Sequence, residues 1–233
     1  MSIFSLKKAS GILKVIQDNK NFIVPFFLLS TYLLFLIGIH GSAGLFLNIN
    51  SYNSTFADHF FYYLTDLGDG FVPYFLVIIL LFVSFRESLT FLTASSIISI
   101  IVTLLKRYYF PEFDRPVVYF EFTEVIRHVP AFDPPLLYSF PSGHTATVFS
   151  VFLYLSILSK NQYLKFVLFC TAALVSFSRI YLSAHFPLDV FVGSYIAVSI
   201  TIPIYYFSRQ IKNPWIDKKI ELRPKNPFRK QIL

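Results

Sequence analysis

Charge is scarce in this sequence: only 14% of its 233 residues are Asp, Glu, Lys or Arg, against roughly 25% in soluble domains. Cysteine is nearly absent. The single Cys170 excludes an intrachain disulfide and a cysteine-ligated metal cluster, and inside its apolar run it reads as core packing. There is no internal repeat, no low-complexity tract and no stretch polar enough for a separate soluble domain. Nor is there the alternating pattern that a transmembrane barrel needs. What remains is apolar: 55% hydrophobic residues, 29 Phe and 15 Tyr, with a mean hydropathy of +0.60. That balance indicates an integral membrane protein whose aromatic residues meet lipid and the lipid–water interface. A formal net charge of +7 would suggest nucleic acid in a soluble protein. Here its placement along the chain assigns it to the membrane instead.

Six segments are apolar enough to cross a bilayer core, which takes about 20 residues: 22–39, 71–85, 89–105, 142–158, 164–182 and 188–207. Backbone groups in lipid must be satisfied within the segment, so each is predicted to be a helix. The fold expected is therefore all-α: a single polytopic domain over residues 1–233 with six transmembrane helices. The second segment is short and gains a turn from Leu67-Gly68-Asp69-Gly70 or from the Glu87 side. Residues 1–21 carry Lys7, Lys8, Lys14 and Lys20 among Ile3, Phe4, Leu6, Ile12, Val15 and Ile16, a basic amphipathic helix suited to a membrane surface. Gly41-Ser42-Ala43 would pass as a cleavage site. The preceding apolar run is too long for a signal peptide, however, and the leader carries Asp18, so an anchor is expected. Residues 208–233 form a basic tail with Trp215 near its start, suited to anionic lipid.

The cations set the orientation. With a cytoplasmic N-terminus and six spans, 15 of the 20 Lys and Arg fall on the cytoplasmic side, and the other face keeps Lys106, Arg107, Arg115, Arg127 and Arg179. The bias supports both termini inside. Four of those five outer cations lie in two stretches, Leu105–Pro116 and Ser178–Asp189, and Ser142, Gly143 and His144 lie on the same face.

Ionisable groups at membrane depth are costly and mark function. This set holds cations, hydroxyls, a glycine turn opening a helix, two histidines and a carboxylate, which is the inventory for holding a phosphate and working on its ester. Arg115 and Arg179 can grip phosphate oxygens bidentately. Ser142-Gly143-His144 opens a helix whose free N–H groups favour an anion, and Gly143 permits close approach. Asp189 lies four residues after His185, one helical turn away, and can hold its Nδ1. So oriented, His185 can attack phosphorus while His144 protonates the leaving oxygen. No carboxylate or cysteine cluster on this face has metal-ligand spacing, so neither metal nor cofactor is expected.

Pro141-Ser142-Gly143-His144, followed by Ser178-Arg179, five residues, His185, three residues and Asp189, resembles the second and third motifs of the type 2 phosphatidic acid phosphatase (PAP2) superfamily. The resemblance implies a six-helix, metal-independent membrane phosphatase acting through a phosphohistidine. His185 would be the nucleophile, His144 the general acid and Asp189 the orienter, with Lys106, Arg115, Ser142, Gly143 and Arg179 binding phosphate. The first motif departs from the pattern. The family has Lys, six residues and Arg-Pro, whereas Arg115-Pro116 follows Lys106 after eight residues and Arg107 after seven. Residue type favours Lys106 for the lysine role, with Arg107 the alternative and Pro111 the bend that absorbs the extra pair.

The expected substrate is a lipid phosphate reached sideways from the bilayer of a bacterial inner membrane, at the periplasmic or outer face. Undecaprenyl diphosphate, lipid A phosphate, phosphatidylglycerol phosphate and phosphatidic acid all fit, and the compact chain with its wide outer loop favours the first two. A lipid-to-lipid phosphotransferase would use the same residues. A non-catalytic transporter or lipid-binding protein is the rival of another class. Two outer-loop groups stand aside from this set. Asp58, His59, Asp66 and Asp69 read as parts of an interfacial helix and a Gly-Asp-Gly turn, with a lid over substrate the alternative. Glu121, Glu124, Arg127 and His128 either line the site or solvate the loop.

Overall fold

The computed structural model describes residues 3–52, 54–122, 126–127, 129 and 132–220. Among them every regular element is helical: α1 (Ile3–Asp18), α2 (Lys20–Ser51), α3 (Thr55–Leu64), α4 (Phe71–Leu81), α5 (Phe85–Leu104), a one-turn α6 (Pro116–Tyr119), α7 (Gly143–Leu158), α8 (Gln162–Tyr181) and α9 (Pro187–Ser208). Four stretches, Lys20–Ser51, Phe85–Tyr109, Gln162–Tyr181 and Pro187–Ser208, are long and apolar enough to cross a membrane. The bent pair Thr55–Gly68 and Phe71–Leu81 adds a fifth when it counts as one span, and α7 is a shorter apolar helix. Four to five candidate spans thus stand where six were expected.

The departures have local causes. The second expected segment, 71–85, yields an 11-residue helix that gains no turn at either end. On one side Thr65–Gly68 forms a 3-10 turn, and the chain bends by 55° before Phe71. On the other, Ser84 is extended, and its side chain accepts from the Glu87 N–H to open a new helix. The first segment is longer than its apolar run. It continues to Ser51 across Gly41, whose φ of +69° a side chain would disfavour.

The core lies where α2, α7, α8 and α9 meet, around Phe22, Phe26, Val148, Leu153, Val175 and Ala197. Ile12, Val15 and Ile16 of α1 pack on it, so this part of the leader's apolar stripe faces protein. The two ends of the bundle differ in chemistry. At one, Lys165 Nζ donates to the Asp18 carbonyl at 2.7 Å. Arg86 pairs with Asp217, Arg209 with Glu87 at 2.6 Å, and the Ile220 N–H donates to the Leu81 carbonyl. The first part of the tail is therefore pinned to the α4–α5 turn; residues 221–233 lie outside the described residues. The opposite end gathers the phosphate chemistry.

Helices α7 and α9 meet closely at that end. A Cβ on Gly193 would stand 2.5 Å from the Ser142 carbonyl oxygen, a backbone atom that cannot swing away. Gly193→Ala is expected to push α9 off α7 at a cost of about 1–3 kcal/mol. Thermal unfolding in detergent would show the lowered midpoint, and phosphate turnover would fall with it because His144 and Asp189 sit on the two displaced helix starts.

Candidate active site

The end of α8 is built so that Arg179 and His185 meet. After Tyr181 the chain turns back through Ser183 at φ +56°, and the Ala184 and His185 N–H groups both donate to the Arg179 carbonyl, at 3.0 and 3.1 Å. Asn50 Nδ2 donates to Ser183 Oγ at 3.0 Å and steadies this turn from α2. Five residues between Arg179 and His185 is thus the length of one closed turn. Pro187 then starts α9 with its fixed φ, placing Asp189 in the first turn beneath the histidine.

His185 is 2% exposed. Its Nδ1 lies 3.2 Å from Asp189 Oδ2, and its Nε2 lies 3.4 Å from Arg115 Nη1. Asp189 Oδ2 also accepts from Ser139 Oγ at 2.5 Å and from the Phe186 N–H at 3.0 Å. A carboxylate held by three donors fixes the hydrogen on Nδ1 and leaves the Nε2 lone pair pointing at the cations. Burial, with Arg115, Lys106 and Arg179 nearby, holds the imidazole well below the ordinary histidine range, so the ring is neutral. Burial also pushes the Arg115 guanidinium down to about 10, and it remains a cation.

Arg115 Nε donates to the Leu137 carbonyl at 2.9 Å and Nη1 to the Ala184 carbonyl at 3.0 Å. Arg179 Nη1 donates to Thr65 Oγ1 at 2.6 Å, while its Nε is buried with no partner among the described residues. An orphaned guanidinium donor in such a pocket is costly unless something anionic meets it. Lys106 Nζ donates to the Tyr138 and Ser139 carbonyls at 2.6 and 3.3 Å and lines a cavity of about 680 Å³ with Gly143 and His144. Arg107 is exposed. Both lie on a π-helical turn over Leu105–Tyr109, whose extra residue per turn takes up part of the surplus before Arg115. Ser142 caps α7 by accepting from the Thr145 N–H at 3.3 Å. The Gly143 and His144 N–H groups belong to the first turn, ahead of the helix's own ladder.

The structure therefore brings Lys106, Arg115, Ser142, Gly143, His144, Arg179, His185 and Asp189 to one end of the bundle and leaves Arg107 outside. Arg127 pairs with Asp58, which also accepts from the Tyr181 hydroxyl at 2.6 Å. That contact ties α3 to the loop. Glu121 is exposed, and Glu124 and His128 lie outside the described residues. Three contacts went unread in the sequence: Ser139 on Asp189, Thr65 on Arg179, and Asp69 Oδ1 at 2.7 Å from His144 Nε2. Among the described residues no group of three or more His, Cys, Asp or Glu could hold a metal ion.

Comparison with known proteins places this arrangement. A family model described as the PAP2 superfamily matches residues 87–212, just over half of the chain and every motif residue from Lys106 to Asp189. Lipid A 4'-phosphatase of Porphyromonas gingivalis is 24% identical over 186 residues, covering 77% of this chain and 78% of that protein. The crystal structure of Aquifex aeolicus LpxE matches with a TM-score of 0.60 at 32% identity, over 72% of this chain and 93% of that one. The transmembrane PAP2-type phosphatidylglycerolphosphate phosphatase from Bacillus subtilis shares the fold, with a TM-score of 0.58 at 22% identity over 82% and 97% of the two chains. With the family model covering its motifs and one solved structure so alike, this chain belongs to the PAP2 superfamily.

Proposed function

We propose that this protein hydrolyses a phosphate ester of a membrane lipid through a phosphohistidine on His185. The observation that carries the reading is the environment of that one imidazole: buried, its Nδ1 on Asp189, its Nε2 facing Arg115. The family and its phosphatase-named relatives support a lipid phosphatase. In the first step the Nε2 lone pair forms a bond to phosphorus as the P–O bond to the lipid breaks. The electron pair of that bond leaves on the lipid oxygen, which takes a proton from His144. Lys106, Arg115, Arg179 and the N–H groups of Gly143 and His144 hold the phosphoryl oxygens. Water then attacks phosphorus, giving a proton to His144, and the N–P bond returns its electron pair to Nε2 as inorganic phosphate leaves.

We take the bent α3–α4 pair and the shorter α7 as crossings beside α2, α5, α8 and α9; six crossings would then put both termini in the cytoplasm and the site at the periplasmic face of a bacterial inner membrane. The separation of the two bundle ends supports this parity, because the ends of α1 and α9 lie with the α4–α5 turn, away from His185. The substrate proposed is a phosphate of lipid A. Beside Lys106 and His144 the cavity is lined by Ser96, Ser99 and Thr103, exposed hydroxyls on one face of α5. Such a stripe suits lipid chains that carry hydroxyl and amide groups better than a bare polyprenyl chain, and two relatives are named for lipid A or as LpxE.

The test is phosphate release by the purified protein in detergent with excess EDTA, offering lipid A, undecaprenyl diphosphate, phosphatidylglycerol phosphate and phosphatidic acid in parallel. Release that survives EDTA and is fastest on lipid A is expected. Faster release from undecaprenyl diphosphate would overturn the substrate, and silence with EDTA would overturn the phosphohistidine.

A further inference from the structure

We propose that Asp69, in the break between α3 and α4, is the positioning carboxylate of His144. The inference rests on the phosphohistidine reading above and adds to it the group that governs the second histidine. Asp69 Oδ1 stands 2.7 Å from His144 Nε2, the side chains 41% and 30% exposed. The contact is not an accident of a loose loop, because the whole break is fitted to the site. Thr65 Oγ1 takes the Arg179 Nη1 hydrogen bond at 2.6 Å. Gly68 lies flat against the imidazole: a Cβ there would meet His144 Cβ and Cδ2 at 3.2 and 3.3 Å. A turn needed only to redirect the chain would require neither a glycine against that ring nor a carboxylate on its nitrogen.

The chemistry follows from which nitrogen is occupied. His144 has to carry a proton to the lipid oxygen and later take one from water. Around it stand Lys106, Arg115 and Arg179, and from the break Asp69, while Asp66 faces Arg179. A carboxylate on Nε2 keeps a hydrogen there throughout, so Nδ1 becomes the nitrogen that exchanges its proton, and it stabilises the imidazolium that precedes transfer. Asp69 thus stands to His144 as Asp189 stands to His185. One carboxylate holds a neutral ring for attack, and the other holds a ring that must be charged for part of the cycle.

The effect of removing Asp69 should depend on the leaving group, which a merely structural residue would not show. A lipid alkoxide needs a proton as it departs, and p-nitrophenolate does not. In single-turnover measurements, Asp69→Ala is expected to slow phosphoryl transfer from a lipid phosphate about 10–100-fold, as for loss of other orienting partners. The loss on p-nitrophenyl phosphate should be at least about tenfold smaller, because general-acid help is not called on there. Asp69→Asn, which keeps the shape and an acceptor oxygen, should fall between, with a thermal midpoint near that of the unaltered protein. Equal losses on both leaving groups, or no loss on the lipid, would overturn the role. Activity surviving His185→Ala would instead overturn the phosphohistidine reading, and the two failures are thereby distinct.

Discussion

Alanine in place of His185 is expected to stop phosphate release, by about 10⁴-fold or more, as removal of a covalent nucleophile does in other enzymes. No other imidazole can substitute. His144 is committed to Asp69 at 2.7 Å, and it opens α7, whereas His185 lies in the turn before α9. The variant should still fold. Asp189 keeps its bonds from Ser139 and the Phe186 N–H, and Arg115 keeps the Leu137 and Ala184 carbonyls. Thermal unfolding measured beside phosphate release separates the two effects. The same environment sets the acid side of the pH profile. Only neutral His185 can attack, and its proton affinity is depressed by burial and the neighbouring cations. As pH falls, its lone pair is therefore lost only well below the ordinary histidine value of about 6.5. Loss of the phosphoryl-transfer step near that value would assign the titration to another group.

Much of this site was legible because its chemistry lies in contiguous motifs. Pro-Ser-Gly-His reads as a helix start, and the five residues between Arg179 and His185 close one turn in which both N–H groups reach a single carbonyl. Helices α8 and α9 follow their apolar runs to within two residues at each end, whereas α5 begins four residues before its run, at Phe85 behind the Ser84 cap. The second segment failed for a reason local composition does not rank: Gly68, Asp69 and Gly70 permit a helix to extend or to break, and contact with His144 decides for the break. The supporting residues were illegible in principle. Thr65 meets Arg179 across 114 residues, Asp69 meets His144 across 75, and Ser139 meets Asp189 across 50. Each reads locally as an ordinary turn residue, and only the packing of α7 against α9 and of the α3–α4 break on α7 and α8 gives it a partner. Lys106 and Arg107 were separable by type alone until the fold put one at the cavity and left the other exposed.

Asp189→Asn is the second large effect expected. The carboxylate is 3% exposed and accepts from three donors, the Ser139 hydroxyl, the Phe186 N–H and His185 Nδ1–H. Asparagine fits the same volume, and because all three donors meet the one oxygen Oδ2, its carbonyl oxygen can accept from all three. What the change removes is the negative charge. A neutral oxygen holds the Nδ1 hydrogen less firmly than a carboxylate and does not offset the positive charge that the His185 ring gains as Nε2 bonds to phosphorus. Loss of about 10²–10⁴-fold in turnover is expected, the upper figure being that of the same change in a Ser-His-Asp triad. Substrate binding should change far less, because Arg115, Arg179 and the α7 start are untouched, so the loss falls on kcat rather than KM. Asp189→Ala would confuse the result by leaving the buried Ser139 hydroxyl and Phe186 N–H unpaired, with a lowered thermal midpoint. Asparagine, read by phosphate release and by the pulse of labelled phosphoenzyme, isolates the charge. A variant that still forms phosphoenzyme at the original rate would show that attack by His185 does not draw on the Asp189 charge.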